Sequence, residues 1–180
     1  MQLPVTISNI HGEKLIFERI DKNDKGEDIL IVRNEVQPKA GPPMHVHWKQ
    51  DESLTVTQGR IGYQCMGEEP QYAEVGETVT FYRGTPHKFW NAGEDVLKCE
   101  GWITPPNTIV YFLGEIYKSM NEHGGRPGAF DAAYLMDRYK TEYDLYDIPG
   151  FVKKVIFPIS LFFGKLQGKH KKFANAPEPL

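Results

Sequence analysis

The chain has little cysteine, no marked charge of either sign and no long apolar run, and each shortage removes a class of protein. Its two cysteines, Cys65 and Cys99, are too few for a disulfide framework and too widely spaced for a CxxC metal pattern, so they read as reduced and mostly buried. A formal net charge of -3 over 180 residues offers no basic face for nucleic acid, and none is expected as a partner. The one basic cluster, Lys169 to Lys172 with His170 inside it, reads as a solvated end. No segment reaches the ~18 apolar residues that a membrane span requires. The opening MQLPVTISNI lacks the basic start and apolar stretch of a secretory signal, which makes a cytoplasmic location the expectation.

What is present, from Lys14 to Pro105, is a series of short segments rich in Val, Ile, Thr, Tyr and Phe, each ended by Gly, Pro, Asn or Asp. That is the pattern of an all-β sandwich or barrel. The strands expected are Lys14–Ile20, Asp28–Val36, His45–His47, Glu52–Gln58, Arg60–Met66, Gln71–Val75, Glu77–Tyr82, His87–Asn91 and Val96–Thr104. After Pro105 and Pro106 the period changes to that of an amphipathic helix, with Val110, Leu113, Ile116, Tyr117 and Met120 on one stripe. Asn107 or Thr108 could cap its start, and Gly124 or Gly125 could end it. Further helices are expected near Phe130–Tyr139 and Gly150–Leu166, the latter kinked or divided at Pro158. Its run VIFPISLFFGKL is read as packing across the barrel or against a partner subunit, with a lipid-facing role as the alternative. The domain division expected is therefore 1–106, β, and 107–180, a helical extension packed on it.

Alternation on Glu52–Gln58 puts Glu52, Leu54 and Val56 on one face. A carboxylate on the apolar face must be paired, hydrogen-bonded or bound to a metal. His45 and His47, two apart on a strand, leave it on the same side and are close enough to share a cation. Glu52 follows across a short turn. In GETVTFYRGTPHKFWN, Gly84 permits a tight turn that returns the chain to a strand opening with His87, which can supply a fourth ligand. Three imidazoles and a carboxylate suit one divalent Fe, Mn, Ni, Co or Zn, leaving up to two positions open on an octahedral ion. Leu54 and Val56, on the face of Glu52, and Phe89 and Asn91, on that of His87, are expected to line the pocket. Tyr63 is a further wall candidate, with Met66, Phe81, Trp102 and Trp48 behind it. His11, His123 and His170 fall outside the pattern and read as surface residues.

The two stretches together resemble the paired signature motifs of the cupin superfamily. Gly41, His45, His47, Glu52 and Gly59 match the first, with three rather than five residues between Gly41 and His45. Gly76, Gly84, His87 and Asn91 match the second, with Tyr82 where the family has Pro; this departure affects a turn, not a ligand. The resemblance implies a mainly β fold, a jelly-roll-like antiparallel β-barrel, here with C-terminal α-helices, a metal at the mouth and a homodimer. Among enzymes the similarity is to quercetin dioxygenase-like cupins, which implies a small-molecule substrate bound to the metal through an enol or hydroxyl oxygen, with Glu52 accepting its proton. The alternatives are an isomerase or lyase using the metal as a Lewis acid, and a non-catalytic small-molecule-binding cupin.

Overall fold

The computed structural model describes residues 2–180. Eleven strands form two antiparallel sheets. The first sheet has the order β1 (Val5–Ser8), β2 (Glu13–Lys22), β3 (Asp28–Val36), β10 (Leu97–Thr104), β5 (Asp51–Gln58), β8 (Thr78–Phe81). The second runs β11 (Tyr143–Leu145), β4 (His45–His47), β9 (His87–Asn91), β6 (Ile61–Cys65), β7 (Gln71–Ala73). This is the jelly roll that the family resemblance implied, left open: no pairing among the described residues joins the two sheets into a ring.

The reason is visible in how the interior is filled. The second sheet packs against β5, β8 and β10, burying Leu54, Val56, Ile61, Ala73, Val79, Phe81, Phe89, Leu97 and Cys99 in one apolar cluster. It does not cover β2 and the start of β3. Their inward residues Phe17, Leu30 and Val32 are instead capped by Ile109 and Phe112 of α1 (Ile109–Glu122) and by Phe130, Leu135 and Met136 of α2 (Ala129–Arg138). The helices take the place of missing strands, because an inward β face without a cover would leave apolar surface in water.

Several local readings need correction. The stretch 107–180 is not purely helical: β11 extends the second sheet by pairing Tyr143 with His47 and Leu145 with His45. Three residues in a polar stretch carry no alternation to betray a strand, which exists because β4 offers an open edge. β1 was likewise unexpected, and pairs Val5–Ser8 against Phe17–Lys14. Thr108 precedes α1 but makes no side-chain cap; its hydroxyl lies 3.4 Å from the Tyr143 hydroxyl. At the other end the amide of Gly125 donates to the Met120 carbonyl at 2.8 Å. Pro158 does not divide the third helix. The backbone widens to a π-helical turn over Val152–Ile156 and continues as α3 (Phe157–Leu166), so the register shift falls just before a residue that has no N–H to donate. Gly164 lets α3 approach α2, since a β-carbon there would stand 1.9 Å from the Phe130 ring. Cys65 and Cys99 are both free, and burial pushes the Cys99 thiol up to about 12.

Candidate metal centre

The four residues singled out by spacing arrive from both sheets. His45 and His47 stand on β4, His87 opens the neighbouring β9 directly opposite His45, and Glu52 comes from β5 across the interior. One ligand atom from each lies within 4.8 Å of all the others. The imidazole centroids of His45 are 5.0 Å from His47 and 4.4 Å from His87. Glu52 Oε2 lies 3.7 Å from His47 Nε2 and 3.5 Å from His87 Nε2, too long for good hydrogen bonds and about right for ligands separated by an ion.

The ring orientations are set by groups behind them. Nδ1 of His45 donates to the Pro43 carbonyl at 2.8 Å, and Nδ1 of His87 to the Thr85 carbonyl at 2.9 Å. Each carbonyl fixes the tautomer in which Nε2 carries a lone pair, the arrangement found behind metal-bound histidines. Nε2 of His87 is buried without a hydrogen-bond partner, and so is Nδ1 of His47. An orphaned buried nitrogen is costly unless something not yet counted satisfies it. Phe81 stacks on His87 at 4.0 Å with 5° between planes, which fixes the ring further.

The site's electrostatics suit a cation. Burial, helped by the neighbouring His47 and His87, lowers His45 to about 3, and burial brings His47 to about 4 against the pull of Glu52. Burial alone would raise Glu52; the closeness of His87 and the charge interactions with the three imidazoles outweigh it and hold the carboxyl at about 2. At neutral pH these groups are two neutral imidazoles and a carboxylate, the protonation states that metal ligation requires. The donor set fits a divalent transition ion.

Three of the four, His45, His47 and Glu52, line a cavity of about 370 Å³ whose walls are mainly apolar. Leu54, Phe89 and Trp102 are on its wall. Val56, Asn91 and Tyr63 are not. Val56 is sealed in the core between the sheets. The Asn91 amide is consumed in closing loops, donating to Val36 O at 2.8 Å and Asp95 O at 2.7 Å. The Tyr63 hydroxyl is turned outward to Gln71 at 3.0 Å. Met66 and Trp48 are exposed, as are His11, His123 and His170.

Much of the remaining wall comes from the extension: Ile109, Phe112, Leu113, Ile116, Tyr117 and Met120 from α1, Ala132 and Met136 from α2. The helical stripe was legible, but nothing in it said which sheet face it would cover. The cavity also has a second polar pole that spacing did not reveal. Glu13, buried on β2, accepts a hydrogen bond from the Tyr117 hydroxyl, with Asn9 and Asn34 also on the wall. Burial raises the Glu13 carboxyl, against the lowering effect of Tyr117 and Asn9.

Known proteins bear on the β domain. The family profile described as Cupin domain matches residues 32–103, a span that holds all four candidate ligands. The chain is similar to the probable oxidoreductase virH of Hypocrea virens, 35% identical over 68 residues, covering 37% of this chain and 31% of that protein. It is similar to the oxidoreductase iacF of Pestalotiopsis fici, 40% identical over 68 residues, covering 36% and 33% of the two. The matches thus span about a third of the length of these curated relatives. Among solved structures, KdgF from Halomonas sp. superposes with a TM-score of 0.46 at 17% identity, over 55% of this chain and 86% of that one. Residues 32–103, which hold the His-x-His strand and the inward Glu52 within two facing antiparallel sheets, thus match the Cupin domain family.

Proposed function

We propose that the protein is a mononuclear metal-dependent oxidoreductase acting on a small, mainly apolar molecule, and more narrowly that it is of dioxygenase type. The observation that carries the proposal is the clustering of His45, His47, Glu52 and His87, the first three of them on the wall of an apolar cavity large enough for a ligand. The oxidoreductase names of the two curated relatives support the reaction class. When bound, the ion supplies Lewis-acid polarisation of a substrate oxygen and, for a redox-active metal, electrons. His45, His47 and His87 would hold it by Nε2, and Glu52 by a carboxylate oxygen. The other oxygen of Glu52 accepts the proton of an enol or hydroxyl brought to the site. Leu54, Phe89, Trp102 and the α1 side chains orient the apolar body of the substrate and exclude water, which strengthens every charge interaction inside. Glu13 and Tyr117 offer a hydrogen-bonding point for a second polar group.

Elemental analysis of protein reconstituted with Fe, Mn, Ni or Co is expected to give about one ion per chain, and Glu52→Gln or His87→Ala at least ~100-fold weaker metal binding. Oxygen consumption with panels of apolar enols and phenols is then expected with one of these metals. Stoichiometry far below one ion removes the metal reading; full occupancy without oxygen uptake, but with product formed from the same panel, moves the reaction to isomerase or lyase chemistry. The free thiols of Cys65 and Cys99 support a reducing, cytoplasmic location as part of the same proposal. The homodimer implied by the family is carried with it, and light scattering that returns a monomer would remove it.

A further inference from the structure

The last helical stretch, left out of the site, has an unusual surface. Phe151, Val155, Ile156, Ile159, Phe162, Phe163 and Leu166 are all exposed, Phe162 at 61% and Leu166 at 71%. Their spacing of three and four puts them on one face of the π-helical turn and α3, while Phe157, Leu161 and Gly164 on the opposite face pack toward the protein. Single exposed apolar side chains are ordinary; a contiguous row of large ones marks a surface meant to be covered.

Charge says by what. From Gly150 to Phe173 the chain carries lysines 153, 154, 165, 169, 171 and 172 and no acidic residue, in a protein whose net charge is -3. Lys153 is paired with Asp144 and Lys172 with Asp131. Lys154, Lys165, Lys169 and Lys171 make no ion pair among the described residues. Among the described residues no helix is long and apolar enough to cross a membrane. A helix seated by its inner apolar face that exposes a second row of bulky apolar residues, with unpaired lysines along it, suits the plane of an anionic lipid interface. A second copy of the chain is the weaker fit, because a two-fold interface sets the patch against itself and would bring the same lysines together.

We propose that the face of residues 151–166 docks on an anionic lipid membrane, with Phe162, Phe163, Ile159 and Leu166 entering the interface and Lys154 and Lys165 meeting lipid headgroups. The apolar cavity of the metal centre would thereby be held close to a phase in which apolar molecules concentrate.

The test is co-sedimentation of the full chain with vesicles of phosphatidylcholine alone and of phosphatidylcholine with phosphatidylserine. Pelleting is expected with the phosphatidylserine vesicles, falling as salt is raised. Each unpaired lysine near the surface is worth roughly fivefold in binding. Lys154→Glu with Lys165→Glu, and Phe162→Ser with Phe163→Ser, are each expected to lower the bound fraction at least ~10-fold. All four side chains are exposed, so the fold should survive. As a second readout, Phe162→Trp is expected to add an emission component that shifts to the blue when phosphatidylserine vesicles are added. The proposal is overturned by absence of pelleting with either vesicle, by binding that both double variants leave unchanged, or by an unshifted Phe162→Trp emission. It is equally overturned, in favour of a second copy, by a dimer in light scattering that Phe162→Ser with Phe163→Ser dissolves and vesicles do not.

Discussion

Glu13 shows how far a single buried side chain can be read. It sits on an inward strand position, hydrogen-bonded by Tyr117, and burial raises its carboxyl above the ordinary value. A carboxyl whose pKa is higher folded than unfolded contributes stability that is complete below the unfolded value and is lost as pH rises through the folded one. Glu13→Gln removes the ionisation but keeps an oxygen to accept the Tyr117 hydroxyl. The variant is therefore expected to gain on the parent as pH goes from 4 to 8, the difference in Tm between the two moving by roughly a degree or more. Parallel melting curves across that range check it; a constant difference would mean that Glu13 does not titrate differently in the folded state. The four candidate ligands could be picked out because each answers to a strand period or a fixed turn. Glu13 was not, since a carboxylate on β2 gains its meaning only from Tyr117, 104 positions away in the chain.

Among the elements, the turn between β8 and β9 governs the site most directly, because it delivers His87. Gly84 adopts φ 77°, a left-handed conformation that suits glycine, and its amide donates to the His47 carbonyl at 2.7 Å, tying the turn to the strand that carries two of the candidate ligands. From the other side Asp51 accepts from the Arg83 amide at 2.8 Å and from its guanidinium Nε and Nη2 at 3.0 and 2.7 Å. That grip holds the Asp51 carboxyl below the usual range, chiefly through the Arg83 side-chain hydrogen bond. The pair is partly exposed, so Asp51→Asn should cost no more than ~1 kcal/mol of stability. Its effect on metal binding should be larger, about tenfold, because His87 would be presented by a looser turn. Metal titration alongside a thermal melt separates the two, and equal small losses in both would mean that the turn needs no anchor. At this scale the sequence was most informative where β-branched or aromatic residues stand between breakers: β3 and β9 run over the residues expected, Asp28–Val36 and His87–Asn91. It was least informative for β1 and β11, short edge strands that owe their pairing to a neighbour's free backbone groups and not to their own side chains.

For the whole molecule, the question is what binds the extension to the β domain, since the cavity has walls from both. Packing of α1 and α2 on Phe17, Leu30 and Val32 supplies the apolar share. The polar share converges on Glu142, which is fully buried. Its Oε2 accepts from Gln50 Nε2 at 3.1 Å and lies 3.4 Å from the Thr108 amide, its Oε1 accepts from the Leu180 amide at 3.1 Å, and its carbonyl accepts from the Trp48 amide at 2.8 Å. One residue thus links the segment between β4 and β5, the start of α1 and the chain's last residue. Glu142→Ala would leave buried donors on Gln50 and Thr108 short of an acceptor, each costing ~1 to 3 kcal/mol, for a total of about 2 to 4 kcal/mol. Glu142→Gln keeps an acceptor and should lose less. Because the loosened parts are the two walls of the cavity, the alanine variant should also bind an environment-sensitive apolar dye more strongly while still folded. Urea unfolding followed by dye titration at zero denaturant checks both. A loss of stability without added dye binding would mean that the helices stay seated on the sheet by apolar packing alone, with the Glu142 network adding stability but not holding the cavity shut.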